Sequence, residues 1–168
     1  MLPVRDLARA TVVAAVAGRV FVFTYMVPIE SLRAIELFAG CDDKLLRKLS
    51  KLGTEVHAKA RQVLAREGDV GREFYVIVDG SASVEHDGER IAGLQRGDFF
   101  GEMALVDGKP RSATVVASTP MTLYVFDPRE FFSMLDAFPP VSRKILTTLA
   151  GRLRAAQEPL SDAGGVGA

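Results

Sequence analysis

Residues 74–105 read F-Y-V-I-V-D-G-S-A-S-V-E-H-D-G-E-R-I-A-G-L-Q-R-G-D-F-F-G-E-M-A-L. Short runs of β-branched and aromatic residues alternate with Asp79-Gly80, Asp87-Gly88 and Gly97-Asp98. Asp-Gly and Gly-Asp pairs supply the positive-φ positions of tight turns, so the runs read as strands joined by closely spaced hairpins. The same pattern extends both ways from this stretch. Val56–Ala58, Gln62–Ala65, Phe74–Val78, Ser81–Glu85, Arg90–Leu94, Ala113–Ala117 and Met121–Phe126 are the predicted strands, with Glu67-Gly68-Asp69 and Asp107-Gly108 as further punctuation. Many short strands at such spacing imply an antiparallel barrel or jelly roll.

Helical patterns flank this region. Ile29, Leu32 and Ile35 recur at helical spacing after Pro28, which suits a first-turn position. Leu45, Leu46, Leu49 and Leu52 mark a second helix, opened by Asp42 and Asp43 at its positive end. Its outer face carries Lys44, Arg47, Lys48 and Lys51, which reads as a solvated face. Beyond the strands, Asp127-Pro128-Arg129-Glu130 has capping-box spacing with proline at the first helical position. Pro139-Pro140 is expected to stop that helix. A last helix follows, with Val141, Ile145, Leu149, Leu153 and Ala156 on one stripe and Gly151 as a weak point.

The fold class is therefore mainly β with flanking helices: an antiparallel β-roll or jelly-roll barrel with N-terminal helices and C-terminal lid helices. Three zones follow: 1–28 as an N-terminal apolar extension, 29–157 as the domain, and 158–168 as a disordered tail rich in glycine. Residues 10–29 are long enough to cross a bilayer. Arg19 interrupts them, at roughly 2.5–3.5 kcal/mol on insertion scales, and Asp6 spoils a signal-peptide leader. The favoured reading is a segment packed on the domain, or a stretch upstream of a start at Met26; membrane contact is the less favoured one.

Composition narrows the function classes. Twenty-one basic and 21 acidic side chains cancel, so no general electrostatic drive toward nucleic acid or anionic membrane exists. The single Cys41 forms no internal disulfide, which points to a reducing, cytoplasmic setting. Two histidines, His57 and His86, with that one cysteine do not make a four-ligand zinc site or the His-carboxylate cluster of a metal-dependent oxygenase. Both histidines are read as surface or packing residues. No nucleophile–base arrangement is visible, and the chain is read as non-enzymatic, without cofactor or metal.

The informative chemistry lies in Phe99-Phe100-Gly101-Glu102-Met103-Ala104-Leu105 and Pro110-Arg111-Ser112-Ala113. Gly101 lets a ligand approach the backbone closely, and a helical turn starting at Glu102 presents N–H groups to an anion. Arg111 adds a planar fork for two phosphate oxygens, and Ser112 and the Ala113 N–H are further donors. Glu102 is the odd member beside an anion. An ionised carboxylate only accepts, so its suitable neighbour is a hydroxyl such as a ribose 2′-OH. Phosphate donors and a hydroxyl acceptor in one loop describe a nucleotide whose phosphate lies close to its sugar, as in a 3′,5′-cyclic phosphate.

Phe100–Leu105 and Pro110–Ala113 resemble the phosphate-binding cassette of the cyclic nucleotide-binding domain found in catabolite-activator-type regulators, cyclic-nucleotide-gated channels and cyclic-nucleotide-dependent kinases. Gly68, Gly80, Gly97 and Gly101 fall in similar positions, and the resemblance spans about residues 29–157. It implies that Glu102 holds the ribose 2′-OH and Arg111 the cyclic phosphate. Gly101, Met103, Ala104 and Ala113 would then give backbone contacts, and Ser112 a hydroxyl. It implies base contacts from Val84 and the last helix, where Arg152, with Arg154 close behind, would lie over the purine. The implied ligand is cAMP ahead of cGMP.

Too few residues follow the last helix for an appended helix-turn-helix domain, so no DNA-binding domain is expected. The signal is expected to leave through a protein partner or self-association, with the C-terminal helices as the moving part. Two readings from other classes stand beside this receptor: a nucleotide-independent interaction module on the same fold, and a membrane-associated sensor anchored through residues 10–29.

Overall fold

In the computed structural model, which describes residues 12–16, 19–23 and 27–157, a hairpin of β1 (Val12–Val16) and β2 (Arg19–Phe23) comes first. The apolar stretch over residues 10–29 thus contributes two five-residue strands. No helix among the described residues is long and apolar enough to cross a membrane. The predicted tail, 158–168, lies outside the described residues.

Pro28 precedes α1 (Ile29–Arg33), and a 3-10 turn follows at Glu36–Phe38. The helix expected through Ile35 is split because Ile35 itself is extended (φ −91°, ψ 123°), which turns its side chain into the core. α2 (Asp43–Leu49) is capped by Asp42, whose carboxylate accepts the Leu45 N–H at 2.8 Å.

The strands are β3 (Thr54–Ala58), β4 (Val63–Ala65), β5 (Phe74–Asp79), β6 (Ser81–His86), β7 (Glu89–Gln95) and β8 (Phe99–Phe100). α3 (Glu102–Asp107) then interrupts the β region before β9 (Thr114–Ala117) and β10 (Met121–Phe126). They form two antiparallel four-stranded sheets, ordered β3-β10-β5-β8 and β4-β9-β6-β7. Each sheet keeps two free edges, so the roll does not close into the barrel that the strand spacing suggested. The β6–β7 hairpin turns at Asp87 (φ 51°) and Gly88 (φ 81°), the two positive values that a two-residue type I′ loop demands.

The first of these sheets is a middle layer. On β5, Phe74 and Val76 face the helices while Tyr75 and Ile77 face the second sheet; β10 divides Tyr124 and Phe126 from Leu123 and Val125 in the same way. A strand buried on both faces reads as a continuous apolar run, which is why these two were legible. β8 repeats the division with one residue per face, Phe99 toward the helices and Phe100 toward the second sheet. Two residues are too short a run to register as a strand, and sequence reasoning missed it.

α4 (Pro128–Ala137) carries the anticipated capping box: Asp127 accepts the Glu130 N–H at 2.9 Å and Glu130 accepts the Asp127 N–H at 2.8 Å. The stop expected from Pro139-Pro140 is one residue wide. Phe138 (φ −128°, ψ 75°) makes the break, and the prolines open α5 (Pro139–Gln157) instead. Val141 and Ile145 of α5 are buried and Leu149 is half-buried, but Leu153 is 61% exposed, so the predicted stripe packs only through its first half.

Helix and sheet layers are tied by a buried hydroxyl. Tyr124 donates to the Leu49 carbonyl (2.6 Å) and accepts the Gly53 N–H (3.2 Å). Tyr124→Phe takes the acceptor from the Gly53 N–H and leaves the Leu49 carbonyl only the Leu52 N–H, and is expected to lower stability by about 1–3 kcal/mol. The urea midpoint should fall with an unchanged m value.

Candidate functional site

β8 runs straight into α3 through Gly101, whose φ of +92° lies in the left-handed region. A Cβ there would meet the Glu73 carbonyl and Arg111 Nη1 at 2.5 Å each, so both conformation and space call for glycine. Arg111, only 7% exposed, fills the space that Gly101 leaves. Its Nη1 donates to the Gly101 carbonyl (2.9 Å), and its Nη2 donates to the Glu73 carbonyl (2.8 Å) and to Glu73 Oε2 (3.3 Å). Its main chain is pinned as well: its N–H donates to the Asp69 carbonyl (2.8 Å) and its carbonyl accepts the Gly68 N–H (2.9 Å). Below it, Tyr75 and Phe100 stack at 4.6 Å, with the guanidinium 5.8 Å from the Tyr75 centroid. Burial raises the Tyr75 hydroxyl pKa, and the Glu73 charge adds to that.

Glu102 is 2% exposed. Its Oε1 accepts from Arg152 Nη1 at 2.8 Å, while Arg152 Nη2 donates to the Phe99 carbonyl at 2.8 Å. The Arg152 guanidinium lies 4.9 Å from the Phe99 ring centroid. Glu102 and Arg111 take different ion-pair partners, Arg152 for Glu102 and Glu73 for Arg111. Glu102 Oε2 is enclosed and has no hydrogen-bond partner. Burial pushes the Glu102 pKa above the ordinary carboxylate value, and the Arg152 and Arg111 charges pull it back in part.

Both charged groups open onto one cavity of about 460 Å3, within the range of roughly 300–1,000 Å3 that small-molecule sites occupy. All nine residues singled out from the sequence line it: Gly101, Glu102, Met103, Ala104, Arg111, Ser112, Ala113, Val84 and Arg152. Arg154, the second arginine considered, is exposed and is not among the lining residues.

Sequence reasoning missed the rest of the apolar wall, including Ala65, Ile91, Leu94 and Val115. Ile91 had no signal to give. The β6–β7 register passes from Val84↔Ala92 to Glu85↔Arg90, so Ile91 is the extra residue of a bulge and breaks the alternation. His86 was readable, being two residues from Val84 on the same strand face. It also lines the cavity, with Nδ1 3.1 Å from the Ser112 carbonyl and 3.0 Å from Glu67 Oε1. Both neighbours accept, so the hydrogen belongs on Nδ1. Glu67, His86 and Asp87 bring three metal-capable atoms within 4.8 Å of one another, but Asp87 is exposed and the His86 Nδ1 is already engaged. His57 is an exposed strand residue beside Glu55.

A buried cation and a buried carboxylate thus face one largely apolar cavity on a two-sheet β-roll flanked by helices. The chain belongs to the cyclic nucleotide-binding domain family, whose model matches residues 55–138. It is 34% identical over 105 residues to a cAMP-dependent protein kinase regulatory subunit of Schizosaccharomyces pombe, covering 62% of this chain and 26% of that protein. It is also 34% identical over 133 residues to acetyltransferase Pat of Mycolicibacterium smegmatis, covering 77% and 40%. Among solved structures, "Sp-2Cl-cAMPS bound to PKAR CBD2" shares the fold at a TM-score of 0.66 and 22% identity, over 79% of this chain and 90% of that one. The chain thus spans well under half of the curated relatives it matches.

The Glu102 shift has a consequence for stability. A carboxylate whose folded pKa is raised holds its proton longer in the folded state, so its contribution is present below the unfolded pKa and is lost as pH rises through the folded one. Glu102→Gln abolishes that loss. Urea titrations from pH 4 to pH 8 should show the variant gaining on the wild type as pH rises. A difference that stays flat across this window would contradict the buried-carboxylate account.

Proposed function

We propose that the domain is a non-enzymatic receptor for a purine 3′,5′-cyclic monophosphate, cAMP in preference to cGMP, and that α5 reports occupancy of the cavity. The observation that carries this is the orphaned Glu102 Oε2 in the same cavity as the buried Arg111. A buried acceptor without a donor is held at a free-energy cost, and a ligand hydroxyl supplies the missing donor. A carboxylate beside a phosphate is tolerable only in that role. Arg111 supplies the charge for one phosphate anion, with the Ser112 hydroxyl as a further donor on the cavity wall. The apolar wall around Val84 and Leu94 suits the faces of a purine. The name of the S. pombe relative, a cAMP-dependent protein kinase regulatory subunit, supports cAMP.

The matched family binds a ligand and regulates rather than catalyses. The M. smegmatis relative carries the name of an acetyltransferase, which supports a regulatory role beside an enzyme or a protein partner.

The link to α5 rests on Arg152. Beyond Leu149 the helix exposes its apolar side, and Arg152 is the residue that reaches the site, holding Glu102 Oε1 and the Phe99 carbonyl together. Its guanidinium lies over the Phe99 ring. Ligand and helix therefore meet on the same carboxylate, and their couplings are reciprocal.

Calorimetry tests the ligand. cAMP should bind better than 5′-AMP by well over tenfold, more than about 1.4 kcal/mol, because the linear ester carries nearly one more charge than the single Arg111 balances. Arg111→Ala should remove about 2–5 kcal/mol of cAMP binding. Glu102→Ala should instead erase the discrimination between cAMP and its 2′-deoxy analogue; continued rejection of the deoxy compound would reassign Glu102. Amide hydrogen exchange across residues 141–157 tests the helix. Protection there should change on adding cAMP, and Arg152→Ala should abolish most of that change.

A further inference from the structure

We propose that Met103 is a site of reversible oxidation by peroxides, and that its sulfoxide weakens ligand binding by capturing the Ser112 hydroxyl. This rests on the reading of the cavity as a cyclic nucleotide site.

Three methionines lie among residues 27–157, and their settings differ sharply. Met121 is 3% exposed and Met134 fully buried, whereas Met103 is 49% exposed and lines the cavity. Susceptibility of a thioether follows access, so Met103 is the one placed to react. Its Sδ lies 3.9 Å from Ser112 Oγ, a weak contact because a thioether is a poor acceptor.

Oxidation changes that contact. The peroxide O–O bond breaks, one oxygen bonds to Sδ, and the other leaves as water with both peroxide protons. The sulfur is oxidised by two electrons, the peroxide is reduced, and no proton stays on the protein. The new S–O group is a strong acceptor. In the sulfoxide epimer that faces Ser112, its oxygen falls within reach of the Ser112 hydroxyl and takes the hydrogen intended for the phosphate. It also sets a negatively polarised oxygen beside the anion. Occupancy acts in the opposite direction: a ligand in the cavity covers Met103 and slows its reaction, so the empty receptor is the sensitive form.

The test uses the full chain and hydrogen peroxide, with and without saturating cAMP. Peptide mass spectrometry follows each methionine, and calorimetry gives the cAMP affinity before treatment, after it, and after repair by methionine sulfoxide reductases A and B. Met103 should oxidise ahead of Met121 and Met134, more slowly with cAMP present. The dissociation constant should rise about tenfold, the lower end of what a hydrogen bond to a charged group is worth, and repair should restore it. In Met103→Leu, treated and untreated protein should bind with the same affinity as each other. Full conversion of Met103 with unchanged affinity, or reactivity no greater than that of Met121 and Met134, overturns the inference while leaving the receptor standing. An untreated chain that binds no cyclic nucleotide overturns the receptor reading itself.

Discussion

A guanidinium buried to 7% exposure has to be surrounded by acceptors, and the architecture of the site is arranged around that requirement. Two carbonyls, from Glu73 and Gly101, and the Glu73 carboxylate receive the Arg111 fork. A carbonyl from residue 101 can face the fork only because the backbone turns there at positive φ, and that turn separates β8 from α3. Gly71 gives way on the other side, since a Cβ there would sit 2.6 Å from Arg111 Cζ. The paired backbone bonds to Gly68 and Asp69 then lock the loop before β5 to the residue that precedes β9. One cation thus ties its own loop to the loop over residues 68–73 and to the turn at Gly101.

Glu102 extends this arrangement to the helices. It follows Gly101 directly, so whatever holds the glycine also aims the carboxylate. Its second tie is to Arg152, 50 residues later, which reaches it across the Phe99 ring. The two residues of β8 therefore serve different layers: Phe100 stacks on Tyr75 between the sheets, while Phe99 meets Phe74 among the helices and lends its carbonyl to α5. In the proposed receptor, a ligand on Glu102 would act directly on the tether of the C-terminal helix, so communication between cavity and helix would need no long relay.

Much of this was legible before any coordinates. Turn pairs such as Asp87-Gly88 betray themselves by residue type, as does the capping box at Asp127 and Glu130, since their geometry is satisfied by neighbours within four residues. β5 and β10 were visible because burial on both faces leaves an unbroken apolar run. What escaped was short, irregular or set by distant neighbours. β8 has only two residues, Ile91 sits in a bulge, and Leu153 matches a helical stripe yet is 61% exposed. His86 is exposed, as its sequence setting suggested, but its contacts with Glu67 and the Ser112 carbonyl come from elsewhere in the chain and were not readable.

The sequence by itself determined the strand-and-turn order, the flanking helices and the composition of the cassette from Gly101 to Ala113. Those properties depend on local backbone preference and on which side chains are present. Only the tertiary structure decided the pairing of charges. It set Arg111 against Glu73 and Glu102 against Arg152, and it left the roll as two open sheets rather than a closed barrel. The reason is physical. A carboxylate among several arginines has no preferred partner in one dimension, and its choice is made by burial and distance, which exist only once the chain has folded.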